Sequence, residues 1–131
     1  MTVTARQNHT QQSDFIRFNF AYNTVGATAI QQSMGSAVPA GSVITGISIS
    51  IPTAFNAGTT NTLDVGTAAA PTALISAAAL GSAGISTNQA ATLSGQLSST
   101  VDSELFVRYN YTGTAPSAGA ASVTVFFVPN I

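Results

Sequence analysis

The sequence contains no cysteine, no lysine and no tryptophan, and only seven of its 131 residues are charged. Without cysteine the chain can form neither disulfides nor thiolate metal sites. The charged share is 5%, where ordinary globular domains have roughly 25%. Three arginines spread along the chain cannot form the clustered basic patch that nucleic-acid binding requires, so we expect no nucleic-acid partner.

Long hydrophobic runs are also missing. The most apolar stretches, Gly41–Ile51 and Val123–Val128, are much shorter than the roughly 20 residues that span a bilayer. The first residues of the chain lack the basic and apolar regions of a secretion signal. We therefore expect a protein that is made in the cytoplasm and has no membrane partner.

Serine, threonine and alanine take the place of the missing charged residues. A nearly uncharged surface of hydroxyl and methyl groups associates readily in solution. Such a surface is easier to explain if neighbouring protein chains cover much of it. The composition therefore favours a homo-oligomer, and the alternative is a monomer solvated by hydroxyls and amides.

Residues 1–13 are polar and show no periodicity, which predicts a flexible N-terminal arm before a single β domain at residues 14–131. The arm has few apolar anchors, so it cannot bury enough surface to become ordered by itself. On an assembly it could pair with an exposed strand edge of a neighbour. The contact residues would then be Arg6, His9, Gln11 and Gln12. A disposable tail is the alternative interpretation.

Strict alternation of apolar and polar residues predicts β-strands in the rest of the chain. It occurs at 16–22, 43–51, 105–111 and 121–128, with a shorter strand around 63–65. Because alternate side chains point to opposite faces of a sheet, the pattern also predicts the core. The residues expected to be buried are Phe18, Phe20, Ile47, Ile49, Leu105, Val107, Val123 and Val125.

The segments between these strands are rich in turn residues. They predict a loop at Gly35–Gly41, and Thr72–Leu80 suits either one or two helical turns or an ordered loop. Short strands separated by Gly, Pro and Asn turns predict an all-β fold, either an antiparallel β-sandwich or a jelly-roll-like barrel, with at most one short helix. Because lysine often guards exposed strand edges and is absent here, we expect loops or neighbouring subunits to cover the edges.

No constellation of residues in the sequence indicates an enzyme. The single histidine, His9, lies in the arm, where no rigid frame holds it for catalysis or metal binding. Asp64, Asp102 and Glu104 could form a carboxylate pair or a Ca²⁺ site only if folding gathers them. The simpler interpretation is solvated acids at strand ends or a partner for Arg108. We therefore predict no catalytic, cofactor-binding or metal site.

Two further features have a possible ligand interpretation beside a structural one. Asp64 interrupts apolar neighbours, and an outward orientation on an alternating strand explains it. Tyr109 and Tyr111, two positions apart on one strand, could stack on a sugar, although aromatic core packing is the preferred interpretation. The glycines form no nucleotide-binding motif.

Several segments resemble a group of small structural proteins from tailed bacteriophages. They are the strand and turn at Ala40–Asn56, the Thr62–Gly66 segment "TLDVG", the alanine-rich Pro71–Leu80 and the closing strand Gly119–Val125. The resemblance implies a virion component, either a capsid decoration (cement) protein that binds and stabilises the assembled head, or a tail or fibre subunit. It further implies a homotrimer whose partners are the major capsid protein or other virion proteins. A carbohydrate-binding attachment module is the alternative from another class.

Overall fold

The alternating segments form two packed antiparallel sheets in a computed structural model, which describes residues 14–24, 31–88 and 100–129. These residues contain eight strands: β1 (Asp14–Ala21), β2 (Gln31–Val38), β3 (Val43–Thr53), β4 (Thr60–Gly66), β5 (Ile75–Ala79), β6 (Gly84–Asn88), β7 (Ser103–Thr112) and β8 (Ala120–Val128). The described ranges include no helix, and therefore none that could cross a membrane. The prediction of an all-β antiparallel sandwich is confirmed, and the sheets do not close into a barrel.

Strands from distant parts of the chain are neighbours in both sheets. Sheet I has the order β1-β8-β3-β6, and sheet II has the order β2-β7-β4-β5. In sheet I, Ile16 pairs with Val125, and in sheet II, Leu63 pairs with Tyr109. All four of these side chains are buried between the sheets, so the register of each sheet follows the apolar face of its strands.

One apolar core fills the space between the sheets, as strand alternation requires. Phe18 is half-buried and packs against the core, because its strand, β1, lies at an edge of sheet I. The other core residues predicted from the sequence are all buried: Phe20, Ile47, Ile49, Leu105, Val107, Val123 and Val125. The faces assigned to β1, β3, β7 and β8 from alternation are therefore confirmed.

Aromatic rings are in contact within this core. The ring centroids of Phe20 and Phe55 are 5.6 Å apart, and those of Phe55 and Tyr109 are 4.8 Å apart. Tilted rings at such distances attract each other beyond the effect of their burial. The backbone at Gly119 (φ +148°) passes so close to Phe55 that an added Cβ would lie 2.5 Å from the ring. This close approach requires glycine just before β8.

Two sequence predictions are wrong, and strand pairing is the reason in both cases. The loop predicted from Gly35 begins only after Val38, because β2 continues through a bulge opposite β7 in which Gly35 has a φ of +83°. The helical turns or ordered loop predicted at Thr72–Leu80 are replaced by strand β5, which pairs with β4. Backbone pairing along β4 outweighs helix propensities, which differ by less than about 1 kcal/mol per residue among ordinary residues.

Candidate functional site

The structure describes the predicted acids but not the predicted arm contacts. Asp102 and Glu104 lie at the start of β7, and Asp64 lies on the neighbouring strand β4. The described ranges contain no group of three or more His, Cys, Asp or Glu side chains that could hold a metal ion. Outside the described residues lie the four predicted partner contacts: Arg6, His9, Gln11 and Gln12.

Asp64 is buried although it points away from the core. It follows a core residue on β4, so alternation directs it to the outer face of sheet II, yet only 4% of it is exposed. Arg108, its register partner on β7, donates from Nε and Nη2 to Oδ2 over 2.9 and 2.6 Å. Asn110 Nδ2 donates to the same oxygen over 2.8 Å. The backbone N–H of Ala77 donates to Oδ1, also over 2.8 Å.

These four hydrogen bonds give Asp64 a structural role. Three of the donors share Oδ2 and one bonds to Oδ1, so the carboxylate joins β4 to both of its neighbouring strands, β5 and β7. Ala77 has a φ of +57°, a left-handed conformation that costs an L-residue about 1–2 kcal/mol. The hydrogen bond to Asp64 offsets that cost and fixes the bulge of β5 against β4. The sequence suggests that the acids are either solvated residues at strand ends or partners of Arg108. For Asp64 the structure shows the second, an ion pair with Arg108.

The Asp64 network makes folding stability depend on pH. Burial raises the pKa of the Asp64 carboxyl, but the hydrogen bonds from Ala77, Arg108 and Asn110 and the charge of Arg108 outweigh burial. The pKa therefore lies below its ordinary value of 3.8. A carboxyl whose pKa is lower in the folded than in the unfolded state contributes stability above the unfolded-state pKa. This contribution is lost as the pH falls through the folded-state pKa.

We therefore expect Asp64→Asn to have a lower free energy of unfolding than the wild type at neutral pH. The difference should shrink as the pH falls below about 4, because the wild-type carboxyl then becomes protonated. Urea denaturation followed by circular dichroism at several pH values measures both proteins. A difference that stays constant from neutral to strongly acidic pH would show that the charge of Asp64 is not its source.

Tyr109 is a core residue and offers no exposed platform for a sugar. It is 1% exposed, and its hydroxyl donates to Asn61 Oδ1 over 2.6 Å. Burial, together with the electrostatic effect of Tyr111, raises the pKa of Tyr109 to about 12. Tyr111 is partly buried beside it, with ring centroids 5.5 Å apart. The core interpretation of these tyrosines is therefore confirmed.

The outer face of sheet I carries a cluster of exposed apolar side chains near the start of β1. Phe15 and Phe126 are register partners with ring centroids 6.3 Å apart, and they are 60% and 38% exposed. Val43, at the start of β3 and paired with Val128 of β8, is 58% exposed. We call these three residues the apolar patch. Arg17 lies two positions along β1 from Phe15, is exposed, and donates from Nε to Thr124 Oγ1 over 3.0 Å.

A hollow of about 400 Å³ lies beside the outer face of sheet II. Asp102 Oδ1 accepts a hydrogen bond from Ala40 N over 2.9 Å, and Glu104 Oε2 accepts one from Ser33 Oγ over 2.5 Å. We call this site the acidic hollow; it is lined by Thr67, Ala68, Ala69, Asp102, Ser103, Glu104 and Phe106.

No protein-family model matches the sequence, and no curated protein sequence is significantly similar to it. The fold is similar to chains in solved structures. A chain of the cyanophage Pam1 capsid asymmetric unit superposes with a TM-score of 0.73 and 17% identity, over 99% of this chain and 94% of that one. A chain of the capsid of Ralstonia phage GP4 gives a TM-score of 0.64 and 15% identity, over 92% of this chain and 86% of that one. At such identities the similarity establishes the fold, and at that level it confirms the resemblance to phage virion proteins that the sequence indicates.

Proposed function

We propose that this chain is a non-enzymatic structural protein of a tailed-phage virion and that it decorates the assembled capsid. The observation that carries the proposal is the fold, which the chain shares over nearly its whole length with chains in two phage capsid structures. The strand order of sheets I and II corresponds to a double-sheet jelly roll, a fold that viral capsid domains use.

The surface supports a role in which other proteins cover the chain. In the described ranges, the exposed charged side chains are Asp14, Arg17, Asp102 and Glu104. The exposed large apolar side chains are Phe15, Val43, Ile85, Val101 and Phe126. A protein surface with so few charges and with neighbouring exposed apolar side chains is typical of a site that meets another protein.

The use of the polar residues supports a structural rather than a catalytic role. Asp64 accepts four hydrogen bonds from its neighbours, and Asp102 and Glu104 each accept a bond that fixes local structure. Tyr109, the residue a sugar would need as a platform, is buried. The acids and tyrosines considered as ligand-binding residues therefore have structural roles in this fold.

The proposed partners are further copies of the chain and the major capsid protein or other virion proteins. The trimer is the oligomer that the sequence resemblance implies, and closed symmetry would cover strand edges that lack charge protection. Contacts through the arm extend the proposal to residues 1–13. There, strand addition onto a neighbour would be made by Arg6, His9, Gln11 and Gln12.

Copy number and position in purified phage particles test the proposal. We expect quantitative mass spectrometry to find a copy number comparable to that of the major capsid protein, because a decoration protein covers the whole shell. Cryo-electron microscopy of the same particles should show the eight-stranded sandwich on the outside of the shell. A few copies confined to the tail would indicate a tail or fibre subunit, and absence from the particles would contradict the virion role.

A further inference from the structure

Four strands form the edges of the two sheets: β1 and β6 in sheet I, and β2 and β5 in sheet II. An edge strand presents unpaired N–H and C=O groups, and proteins usually protect it with a bulge, a charged side chain or a covering segment. Three of these edges carry such protection. β2 has a bulge around Gly35 (φ +83°), β5 has one around Ala77 (φ +57°), and β1 carries the exposed charges of Asp14 and Arg17.

Strand β6 has neither a bulge nor a charge. It pairs residue by residue with the stretch from Ile47 to Ile51 of β3, without a register shift, and it contains no proline. Within the described residues, no strand pairs with its other side. Ile85 of β6, which pairs with Ser50 on the outer face of sheet I, is 78% exposed. Among the described strands, β6 is therefore the regular edge without protection.

The surroundings of β6 are uncharged as well. No residue between Asp64 and Asp102 carries a charge, and neither does β3, the strand beside β6. A hollow of about 330 Å³ at the start of β6 is lined by alanine, serine, glycine and isoleucine residues alone. Two copies that meet along β6 bring no like charges of this region together, so the repulsion that keeps many identical surfaces apart is missing here.

The backbone of β6 is complementary to that of a second β6. Two identical strands related by a two-fold axis perpendicular to the sheet are antiparallel, and each residue then has the same environment in both copies. With the axis at Ser86, all five residues of β6 pair: Gly84 with Asn88, Ile85 with Thr87, and Ser86 with its own copy. The Cβ of Ile85 then lies about 4.5–5.5 Å from that of the opposite residue, so part of its exposed surface leaves water.

We propose that β6 of one copy pairs antiparallel with β6 of a second copy, which joins the two four-stranded sheets I into one continuous sheet. This inference rests on the self-association that belongs to the proposed function, and it names the edge that makes it. The two-fold contact is separate from the three-fold contacts of a trimer. In an assembly of trimers, it connects one trimer to the next.

Size-exclusion chromatography with light scattering on the full chain tests the contact. Ile85→Lys should at least halve the mass of the wild-type assembly, because it supplies the edge lysine that the chain lacks and sets two ammonium groups beside each other at the interface. The side chain is 78% exposed, so the sandwich should stay folded, which circular dichroism checks. Val43→Lys is the matched control and should leave the mass unchanged. It also places lysine at an exposed apolar position of sheet I, but on the inner strand β3.

Disulfide formation tests the register. The chain has no cysteine, so introduced thiols have no competitors. Co-expressed Ile85→Cys and Thr87→Cys chains should form a disulfide-linked dimer with one chain of each kind after mild oxidation, because opposite residues of antiparallel strands lie within disulfide reach. Mass spectrometry identifies the linked chains. Asn19→Cys replaces Ile85→Cys in the control, since Asn19 is exposed on β1, the charged edge of the same sheet. That mixture should remain unlinked.

Three results would overturn the β6 contact: a monomeric wild type, an Ile85→Lys variant with the wild-type mass, or no disulfide between positions 85 and 87. If Ile85→Lys does not fold, the disulfide result decides alone. An Ile85→Lys variant that keeps the wild-type mass but is missing from phage particles would show that β6 pairs with another virion protein and not with a second copy. The copy number of the wild type in particles tests the virion role separately.

Discussion

The Asp64→Ala variant is expected to lose about 3 kcal/mol of unfolding free energy in urea denaturation at neutral pH. Removing one partner of a buried ion pair typically costs about 3–5 kcal/mol, because the remaining charge has no counter-charge. The Arg108 side chain is 27% exposed, so water replaces part of the lost interaction and the effect lies at the lower end. The loss includes the hydrogen bond of the Ala77 N–H, which holds the bulge of β5.

Asp14→Ala is the matched control for this prediction. Asp14 is an exposed acid at the start of β1, and surface substitutions of this kind usually change stability by less than about 0.5 kcal/mol. If the two alanine variants were equally stable, the contacts of Asp64 would contribute nothing net to folding, and the structural role assigned to them would be wrong.

The Phe20→Ala variant is expected to lose about 3–5 kcal/mol of unfolding free energy, measured in the same way. Phe20 is 4% exposed and its ring contacts those of Phe18 and Phe55, with centroids 6.2 and 5.6 Å away. The substitution removes this apolar burial and leaves a cavity between two sheets that cannot collapse freely.

Phe18→Ala is the comparison that makes the Phe20 result specific. It is the same substitution two positions earlier on the same strand, at a side chain that is only half-buried. Water already reaches this position, so less apolar surface is lost and no closed cavity forms; the loss of stability should be clearly smaller. Equal losses at the two positions would mean that the edge of sheet I is covered more completely than the described residues show.

The sequence predicts the core well because alternation is a local signal. Whether Ile47 or Val123 faces inward is decided by its neighbours two positions away, and both are buried as predicted. The segment Thr72–Leu80 could not be predicted in this way. The helix propensity of its alanines is a weak signal compared with backbone pairing. The segment forms a strand because the edge of β4 is available for pairing, and the position of β4 is determined by other parts of the chain.

The candidate sites depend even more on distant pairing. The direction of Asp64 follows from alternation, but its burial follows from a bulge at Ala77 that no local pattern indicates. Phe15 and Phe126 form one patch only because β1 pairs with β8. The sequence did contain a signal for the partners of Asp64, because Arg108 and Asn110 are outward-facing polar residues on one strand. The sequence does not reveal the register that places this strand beside β4.

The position of β8 between β1 and β3 constrains how the chain can fold as it is synthesised. Sheet I cannot form until β8 has left the ribosome, because β1 and β3 each pair with β8 and not with each other. Most of the core must therefore wait for the last strand, while the β4–β5 pair is the only pairing of consecutive strands in the two sheets as described. Such a topology, dominated by long loop closures, is typical of folding in milliseconds to seconds rather than microseconds. The apolar strands are exposed for that interval, and the low charge of the chain provides little repulsion between copies, so association of partly folded chains competes with folding.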